Sequence, residues 1–161
     1  SAAFPAGLPG LSAAGQAQVD AGNCLARFAA LLVRECDRRG IPVVLENPAL
    51  SRLFEVPFMQ SLRNPRLREV VTDFCQDGTR WRKRTRLWGF NLDLSAAPRV
   101  CTGRGICSRS QLPHVQLHGK SEFGFLTSAA EPYPRSLCRR LADAFADGVI
   151  AHRTHQLAAF L

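Results

Sequence analysis

The sequence lacks any long apolar run, any secretory signal, any internal repeat and any low-complexity tract. No stretch approaches the roughly 20 consecutive apolar residues that a membrane-spanning helix needs, so no membrane span is predicted. No charged start followed by an apolar core marks a signal peptide. The 161 residues, of which 46% are hydrophobic, are therefore expected to form one domain of ordinary size over residues 1–161.

Acidic residues are scarce beside basic ones. The chain has 13 Asp and Glu against 21 Lys and Arg, which gives a formal net charge of +8 and a pI near 10.0. This balance favours a polyanionic partner, with nucleic acid first and an acidic membrane surface or an acidic protein second. The alternative is a basic surface that only aids solubility.

The spacing of the six cysteines does not suggest a dense disulfide framework. Cys24, Cys36 and Cys138 lie inside helical patterns and are interpreted as small buried hydrophobic side chains. This usage favours an intracellular reducing compartment, either the nucleus or, where the N-terminus is processed, an organelle. The chain does not begin with Met, so it is interpretable as a processed product or as a fragment of something longer.

A long helix and a short apolar strand come first in the chain. Ser12 is a suitable N-cap and Gly40 a natural stop, and an apolar stripe at helical spacing lies between them. The stripe comprises Val19, Leu25, Phe28, Leu32 and Cys36. The stretch 41–47, IPVVLEN, is typical of a strand buried on both faces. A long helix that leads into such a strand is half of an α/β unit, so the predicted fold class is α/β.

The rest of the chain predicts short helices, two strands, an irregular segment and a final helix. Residues 49–64 predict one or two short helices broken at Pro57, and 67–75 and 84–94 predict strands. No period holds over 95–127, and a long segment of this kind usually serves function or holds a metal. The final helix carries apolar residues four apart, at Leu137, Leu141, Phe145 and Val149.

An acid stands at the end of the first predicted strand, in the tripeptide Glu46-Asn47-Pro48. At the carboxyl edge of a parallel sheet, such an acid faces the crevice where open α/β folds bind ligands. A glutamate there can accept from an amino group and, when protonated, donate to a ring nitrogen, which is the grip that an aminopyrimidine edge needs. The alternative is a helix N-cap region with Glu46 near the helix dipole.

Basic residues cluster around Trp81, with five of them in the seven positions 80–86. In a strand, the side chains of Arg82, Arg84 and Arg86 would point the same way. A row of guanidinium groups beside an aromatic ring suits a phosphate backbone and a stacked base. The alternative is a solvated basic edge strand that resists aggregation. The predicted nucleic-acid-binding residues are Arg80, Trp81, Arg82, Lys83, Arg84 and Arg86.

A possible ligand set for zinc lies in the irregular segment, with the pattern Cys101-x5-Cys107-x6-His114-x3-His118. Two thiolates and two imidazoles fit a tetrahedral structural zinc site, although the gap between the cysteines is wider than usual. A metal would explain how a long segment with little apolar content stays ordered. The alternatives are a disulfide between Cys101 and Cys107, or free thiols with surface histidines.

The order of these motifs resembles the C-terminal half of a DNA cytosine-5 methyltransferase. More narrowly, it resembles the methyltransferase-like domains of retroelement-type and dinoflagellate-type polyproteins. Glu46 and Asn47 match the first two positions of the family's Glu-Asn-Val motif, in which the Glu grips the target cytosine, and Pro48 replaces the Val. The arginines of 82–86 resemble its Gln-x-Arg-x-Arg motif. The stretch YPRSLCRRLA, 133–142, resembles its last motif, beside the cofactor pocket.

The resemblance implies a partial Rossmann-like methyltransferase half-domain, with the irregular segment in the place of the target-recognition region. Two family motifs are absent: the Phe-x-Gly-x-Gly loop for S-adenosylmethionine and the Pro-Cys dipeptide that carries the nucleophile. The chain alone is therefore not expected to methylate. S-adenosylmethionine would bind only if the missing N-terminal motifs were supplied.

These observations predict a nucleic-acid-binding, methyltransferase-like domain that is catalytically incomplete as given. The first alternative is a non-enzymatic structural or interaction subunit of a larger assembly, derived from such a domain and contacting partner protein chains. The second alternative is a zinc-stabilised nucleic-acid-binding module with no enzymatic ancestry.

Overall fold

The computed structural model describes residues 3–122 and 124–158. Phe123, which belongs to the predicted irregular segment 95–127, and both ends of the predicted 1–161 domain lie outside the described residues. The elements are α1 (Ala13–Arg38), β1 (Val43–Pro48), α2 (Pro57–Gln60), β2 (Arg68–Asp73), β3 (Arg84–Phe90), β4 (Lys120–Ser121), β5 (Gly124–Phe125) and α3 (Arg135–Ala158). Short 3₁₀ helices cover Arg52–Glu55, Phe74–Asp77 and Leu126–Ala130. None of the described helices is both long and apolar enough to cross a bilayer.

The predicted ends of the first helix are confirmed. The Ser12 hydroxyl accepts a hydrogen bond from the Gly15 N–H at 3.2 Å, which satisfies one of the free donors of the first turn. After the last helical residue, Gly40 has a φ of +71°, a conformation that glycine adopts without strain. The chain then turns directly into β1.

The main sheet has three strands in the order β1-β3-β2, and both pairings are antiparallel. The expected parallel sheet is therefore wrong. Only ten residues, 74–83, connect β2 to β3, which is too short for a parallel crossover and leads β3 back alongside β2. Because β3 lies between β1 and β2, those two outer strands run in the same direction, and their carboxyl ends share one edge of the sheet.

Helices cover both faces of this sheet. On one face, Ala30 and Val33 of α1 pack with Trp88 and Phe90 of β3. On the other face, α3 packs against a cluster that includes Leu87 and Leu94. The structure is thus α/β in the coarse sense of a small antiparallel sheet between helices. The residues of β1 are only partly buried, since β1 is an edge strand.

The predicted burial of the helical cysteines is wrong for two of the three, and part of the apolar stripe of α1 also faces solvent. Leu25, Phe28 and Leu32 of the predicted stripe are exposed, since α1 packs through the face that carries Ala30 and Val33. In the same way, Cys24 and Cys138 are exposed rather than buried, and Cys36 is half-buried. Helical spacing identifies an apolar face but not which face meets the sheet.

Candidate metal centre

Four potential metal ligands from distant parts of the chain meet at the edge of the sheet. Cys75 lies in the 3₁₀ helix that follows β2, and Cys101, Cys107 and His114 come from the irregular segment after β3. Their sulfur and imidazole nitrogen atoms all lie within 4.8 Å of one another. The three cysteines are buried and His114 is half-buried. The group could therefore hold a metal ion.

Cys101 is fixed in place by a buried acid at the end of β2. Asp73, whose side chain is fully buried, accepts the Cys101 N–H at 2.7 Å and both arms of the Arg84 guanidinium at 2.9 and 2.8 Å. Burial alone would raise the pKa of Asp73, but the hydrogen bonds from Arg84, Cys101 and Arg82 outweigh it and lower that pKa. Arg82 also donates to the carbonyls of Cys101 and Gly103, both at 2.9 Å.

The other two ligands of the irregular segment lie on a tight turn. The Cys107 N–H donates to the Leu112 carbonyl and the His114 N–H to the Gly105 carbonyl, both at 2.9 Å. Gly103 is required at the base of this turn, because a Cβ there would lie 1.7 Å from the Ile106 carbonyl oxygen. The backbone therefore brings Cys107 and His114 back toward Cys101.

The electrostatics of the site favour thiolates at two of the three cysteines. Burial alone would raise the pKa of the Cys101 thiol, but hydrogen bonds led by those of Ser108 lower it to about 6. Burial also opposes ionisation of Cys107, and backbone N–H groups of the turn lower its pKa to about 7. Burial and the neighbouring Cys101 raise the pKa of Cys75 to about 12. Thiolates are the form in which cysteine binds metals.

The structure thus brings together three of the four predicted ligands, Cys101, Cys107 and His114. His118, predicted as the fourth ligand, is exposed and does not belong to this cluster, in which Cys75 is the fourth member. Nothing near Cys75 in the sequence signals this role. It lies 26 positions before Cys101, and only the return of the chain through β3 brings the two together. All six cysteines are free thiols, so the structure has no disulfide between Cys101 and Cys107.

A cleft of about 620 Å³ adjoins the metal centre and shares His114 with it. Pro48 at the end of β1, the basic run after β2 and the backbone beyond His114 form its walls. The cationic and aromatic residues that line the cleft are Trp81, Arg82, Lys83, Arg104, His114 and His118. The indole N–H of Trp81 is buried and has no hydrogen-bond partner among the described residues.

Most of the predicted nucleic-acid-binding cations have partners inside the protein. Arg82 and Arg84 bind Asp73, and Arg86 lies 3.4 Å from Glu69. The Lys83 ammonium lies over the rings of Phe74 and Tyr133 and donates to the Ala130 carbonyl at 3.4 Å. Only Arg80 of this set is an exposed cation that lacks a partner within the described chain. Trp81 lines the cleft.

Two exposed arginines that the sequence analysis missed also have unpaired charges. Arg104 and Arg109 lie on the turn that carries the metal ligands, and neither has an ion pair or hydrogen bond from its side chain within residues 3–122 and 124–158. The sequence does contain a signal for them, because no Asp or Glu occurs between Asp93 and Glu122. The metal-binding turn therefore presents positive charge that no neighbouring acid neutralises.

Glu46 lies on β1 near the same edge of the sheet as the cysteine cluster, and neither of its carboxylate oxygens is free for a ligand. The Tyr133 hydroxyl donates to its Oε2 at 2.5 Å, while Oε1 is buried without a partner among the described residues. Burial and the hydrogen bond to Glu46 raise the pKa of Tyr133 above its ordinary value. Asn47 is half-buried, opposite Arg86 in the sheet.

The metal centre, the cleft and Glu46 all lie toward the carboxyl ends of β1 and β2, since Pro48 pairs with Thr85 and Asp73 with Arg84 at that edge. Open parallel α/β sheets bind ligands at the carboxyl ends of their strands, and here only β1 and β2 end at this edge, since β3 runs the other way. Comparisons of the chain with models of protein families, with curated proteins and with solved structures found no match.

Proposed function

We propose that this chain is a nucleic-acid-binding, methyltransferase-like domain whose binding surface is held in place by a structural zinc ion. The main observation behind the proposal is that the candidate metal centre and the adjoining cleft share a residue. His114 belongs both to the metal centre and to a cleft lined by Trp81 and Arg104. A metal bound there would order the surface that presents the unpaired cations.

Zinc fits the ligand set better than harder metals do. Three cysteine sulfurs and one imidazole form a Cys₃His set, which is characteristic of closed, tetrahedral structural zinc sites. Tetrahedral bonds of about 2.3 and 2.0 Å place sulfur and nitrogen about 3.5 Å apart. The Cys101 sulfur and the His114 Nε2 are 3.7 Å apart. A zinc ion also compensates for the small apolar content of the segment that it orders.

Nucleic acid fits the charge of the same surface. Arg80, Arg104 and Arg109 are exposed and lack partners within the described chain, so each is available to a phosphate. The adjoining cleft supplies an aromatic side chain, Trp81, on which a base can stack. A positive surface with an aromatic platform is the usual arrangement in proteins that bind single strands.

The methyltransferase-like part of the proposal is supported by strand directions and by the resemblance. Mixed sheets with one antiparallel strand are common among large sheets, and the central β3, antiparallel to the co-directional β1 and β2, is compatible with such a sheet. The outer edge of β1 pairs with no strand in the described chain, so further parallel strands of a Rossmann-like sheet could add there. Glu46 would form hydrogen bonds to a cytosine only after the hydrogen bond from the Tyr133 hydroxyl to Glu46 had broken.

A second candidate, the interaction subunit, is favoured by the outward face of α1. Leu25, Phe28, Leu31 and Leu32 form a contiguous apolar stripe with exposures of 71, 65, 62 and 50%. Exposed stripes of this kind mark protein–protein contacts. Sedimentation of the parent chain and of the Leu25→Gln/Phe28→Gln variant tests whether this stripe mediates self-association. A parent that self-associates should become monomeric in the variant, whereas a monomeric parent should sediment as the variant does.

Metal analysis tests the zinc site directly. Purified protein should contain about one zinc ion per chain, and Cys75→Ser should remove most of it because a tetrahedral site loses a ligand. His118→Ala and Cys138→Ser are matched controls and should retain full zinc content, since neither residue belongs to the cluster. Full occupancy in Cys75→Ser would contradict the assignment.

Anisotropy titration of labelled oligonucleotides at two salt concentrations tests the binding surface. The double variant Arg104→Ala/Arg109→Ala should weaken binding and flatten the dependence of log K on log salt by about 0.7 to 0.9 per lost phosphate contact. Arg139→Ala/Arg153→Ala removes the same charge from exposed positions of α3 that have no partner among the described residues, and it should change little. An equal loss in both variants would mean that net charge alone attracts the nucleic acid.

A further inference from the structure

We propose that the cleft beside the metal centre takes one unstacked base of a single-stranded nucleic acid, with Trp81 as its platform. This inference rests on the proposed function and narrows it to a substrate class. The cleft measures about 620 Å³, within the range of pockets that bind small organic molecules such as a nucleotide. A base stacked and paired inside a duplex cannot enter it without being extruded.

The indole N–H of Trp81 lacks a hydrogen-bond acceptor within the described chain. Its indole N–H is buried without a partner in the described chain, and an unmatched buried donor of this kind costs free energy. Trp88 has an unpaired N–H too, but its side chain is fully buried in the core and does not line the cleft. Because the N–H lies in the plane of the ring, its acceptor would be a phosphate oxygen or an atom of a neighbouring nucleotide rather than the base stacked on the ring.

The backbone around Trp81 is fixed before any ligand binds. The Thr79 hydroxyl donates to the Trp81 carbonyl at 2.7 Å, and the Val115 N–H donates to the Arg80 carbonyl at 2.8 Å. The second bond joins the basic run to the opposite wall of the cleft, next to the metal ligand His114. A platform fixed in this way loses little entropy when a base stacks on it.

The charges of the cleft suit the phosphate that accompanies an inserted base. Arg104 lines the cleft and has no partner within the described residues, so its guanidinium is available to a phosphate oxygen. Val115, Leu117 and Pro48 supply apolar surface beside Trp81 for the face of the base. Cationic, aromatic and apolar groups thus lie within one cleft.

The test compares one labelled 20-mer as a single strand and as a duplex, at fixed salt, with the zinc-containing protein. The single strand should bind more tightly, and Trp81→Ala should weaken that binding on the order of 10-fold and weaken duplex binding much less. Trp81→Phe keeps a stacking ring but loses the N–H, so its affinity should fall between the two. Unchanged zinc content would show that both variants are folded.

Tryptophan fluorescence gives a second readout. The chain has two tryptophans, and the single strand should quench the emission of Trp81 but not that of the buried Trp88, so quenching should vanish in Trp81→Phe. Equal affinity for single strand and duplex, or unchanged single-strand affinity in Trp81→Ala, would overturn this inference and leave the proposed function standing. If neither the single strand nor the duplex binds, both this inference and the proposed function are overturned.

Discussion

Asp73 connects the sheet to the segment that carries Cys101 through ion pairs and a backbone hydrogen bond. It ends β2 with a fully buried carboxylate that binds Arg84 and Arg82 and accepts the backbone N–H of Cys101. A buried charge is tolerated only when it is paired and hydrogen-bonded, so this acid requires the two arginines of the basic run. Their positive charge therefore orders the site and is not free for an external ligand.

Replacing Asp73 with Asn should lower the free energy of unfolding by about 3 kcal/mol, because two guanidinium groups lose a buried anion. Urea unfolding monitored by circular dichroism measures this change. Glu69→Gln is the matched control, since Glu69 also lies on β2 and pairs with arginines, but at the partly exposed surface. It should cost less than about 1 kcal/mol. Similar losses of unfolding free energy in both variants would show that the burial of Asp73 does not strengthen the contribution of its ion pairs to stability.

Residue patterns predicted part of the candidate site and missed the rest for identifiable reasons. Local spacing identified Cys101, Cys107 and His114, because the turn that joins them is short. The partners of Arg82 and Arg84 were not predictable, since a strand pattern shows which way a side chain points but not whether a buried acid lies there. Contacts across the β2–β3 connection depend on the fold.

At the scale of elements, α3 is attached to the sheet by an ion pair as well as by apolar packing. Arg140 donates to both carboxylate oxygens of Asp77, at 2.6 and 2.9 Å, and the Ser136 hydroxyl donates to the same group at 2.7 Å. The Asp77 carboxylate is fully buried, and Arg140 is 11% exposed. Because Asp77 lies two residues after Cys75, this pair connects α3 to the metal centre.

Arg140→Met should lower the free energy of unfolding by about 3 kcal/mol, because the methionine keeps the packing of the side-chain stem but leaves Asp77 buried with weaker partners. Arg139→Met changes the neighbouring residue of the same helix, which is exposed and unpartnered in the described chain, and should stay within about 0.5 kcal/mol of the parent. Thermal unfolding of the two variants side by side gives the comparison. Equal midpoints would contradict an anchoring role for the pair.

The elements themselves were well predicted from sequence, and their arrangement less so. The N-cap Ser12, the stop at Gly40 and the break at Pro57 are local chemical signals, and the structure confirms each of them. The direction of β3 and the buried face of α1 depend on which surfaces meet in three dimensions. For α1 both faces are apolar enough to pack, so spacing alone could not choose between them.

For the molecule as a whole, the candidate metal centre and the hydrophobic core are separate clusters of buried side chains. The two apolar clusters on either side of the sheet contain none of the metal ligands, and the three buried cysteines form a cluster of their own. Loss of zinc should therefore release the segment that carries Cys101 to His114 before it unfolds the sheet. Local opening of this kind is expected where a segment has few apolar contacts.

Limited trypsin digestion with and without a zinc chelator tests this separation. Chelation should accelerate cleavage after Arg104 and Arg109, because the turn that holds them loses its cross-link, by on the order of 10-fold or more. Cleavage after Arg27 in α1 should not accelerate, since α1 packs on the apolar core and not on the metal centre. Mass spectrometry of the fragments resolves the sites. Equal acceleration at all three arginines would mean that the whole domain depends on zinc, and no acceleration at the turn would mean that its backbone hydrogen bonds suffice to keep it closed.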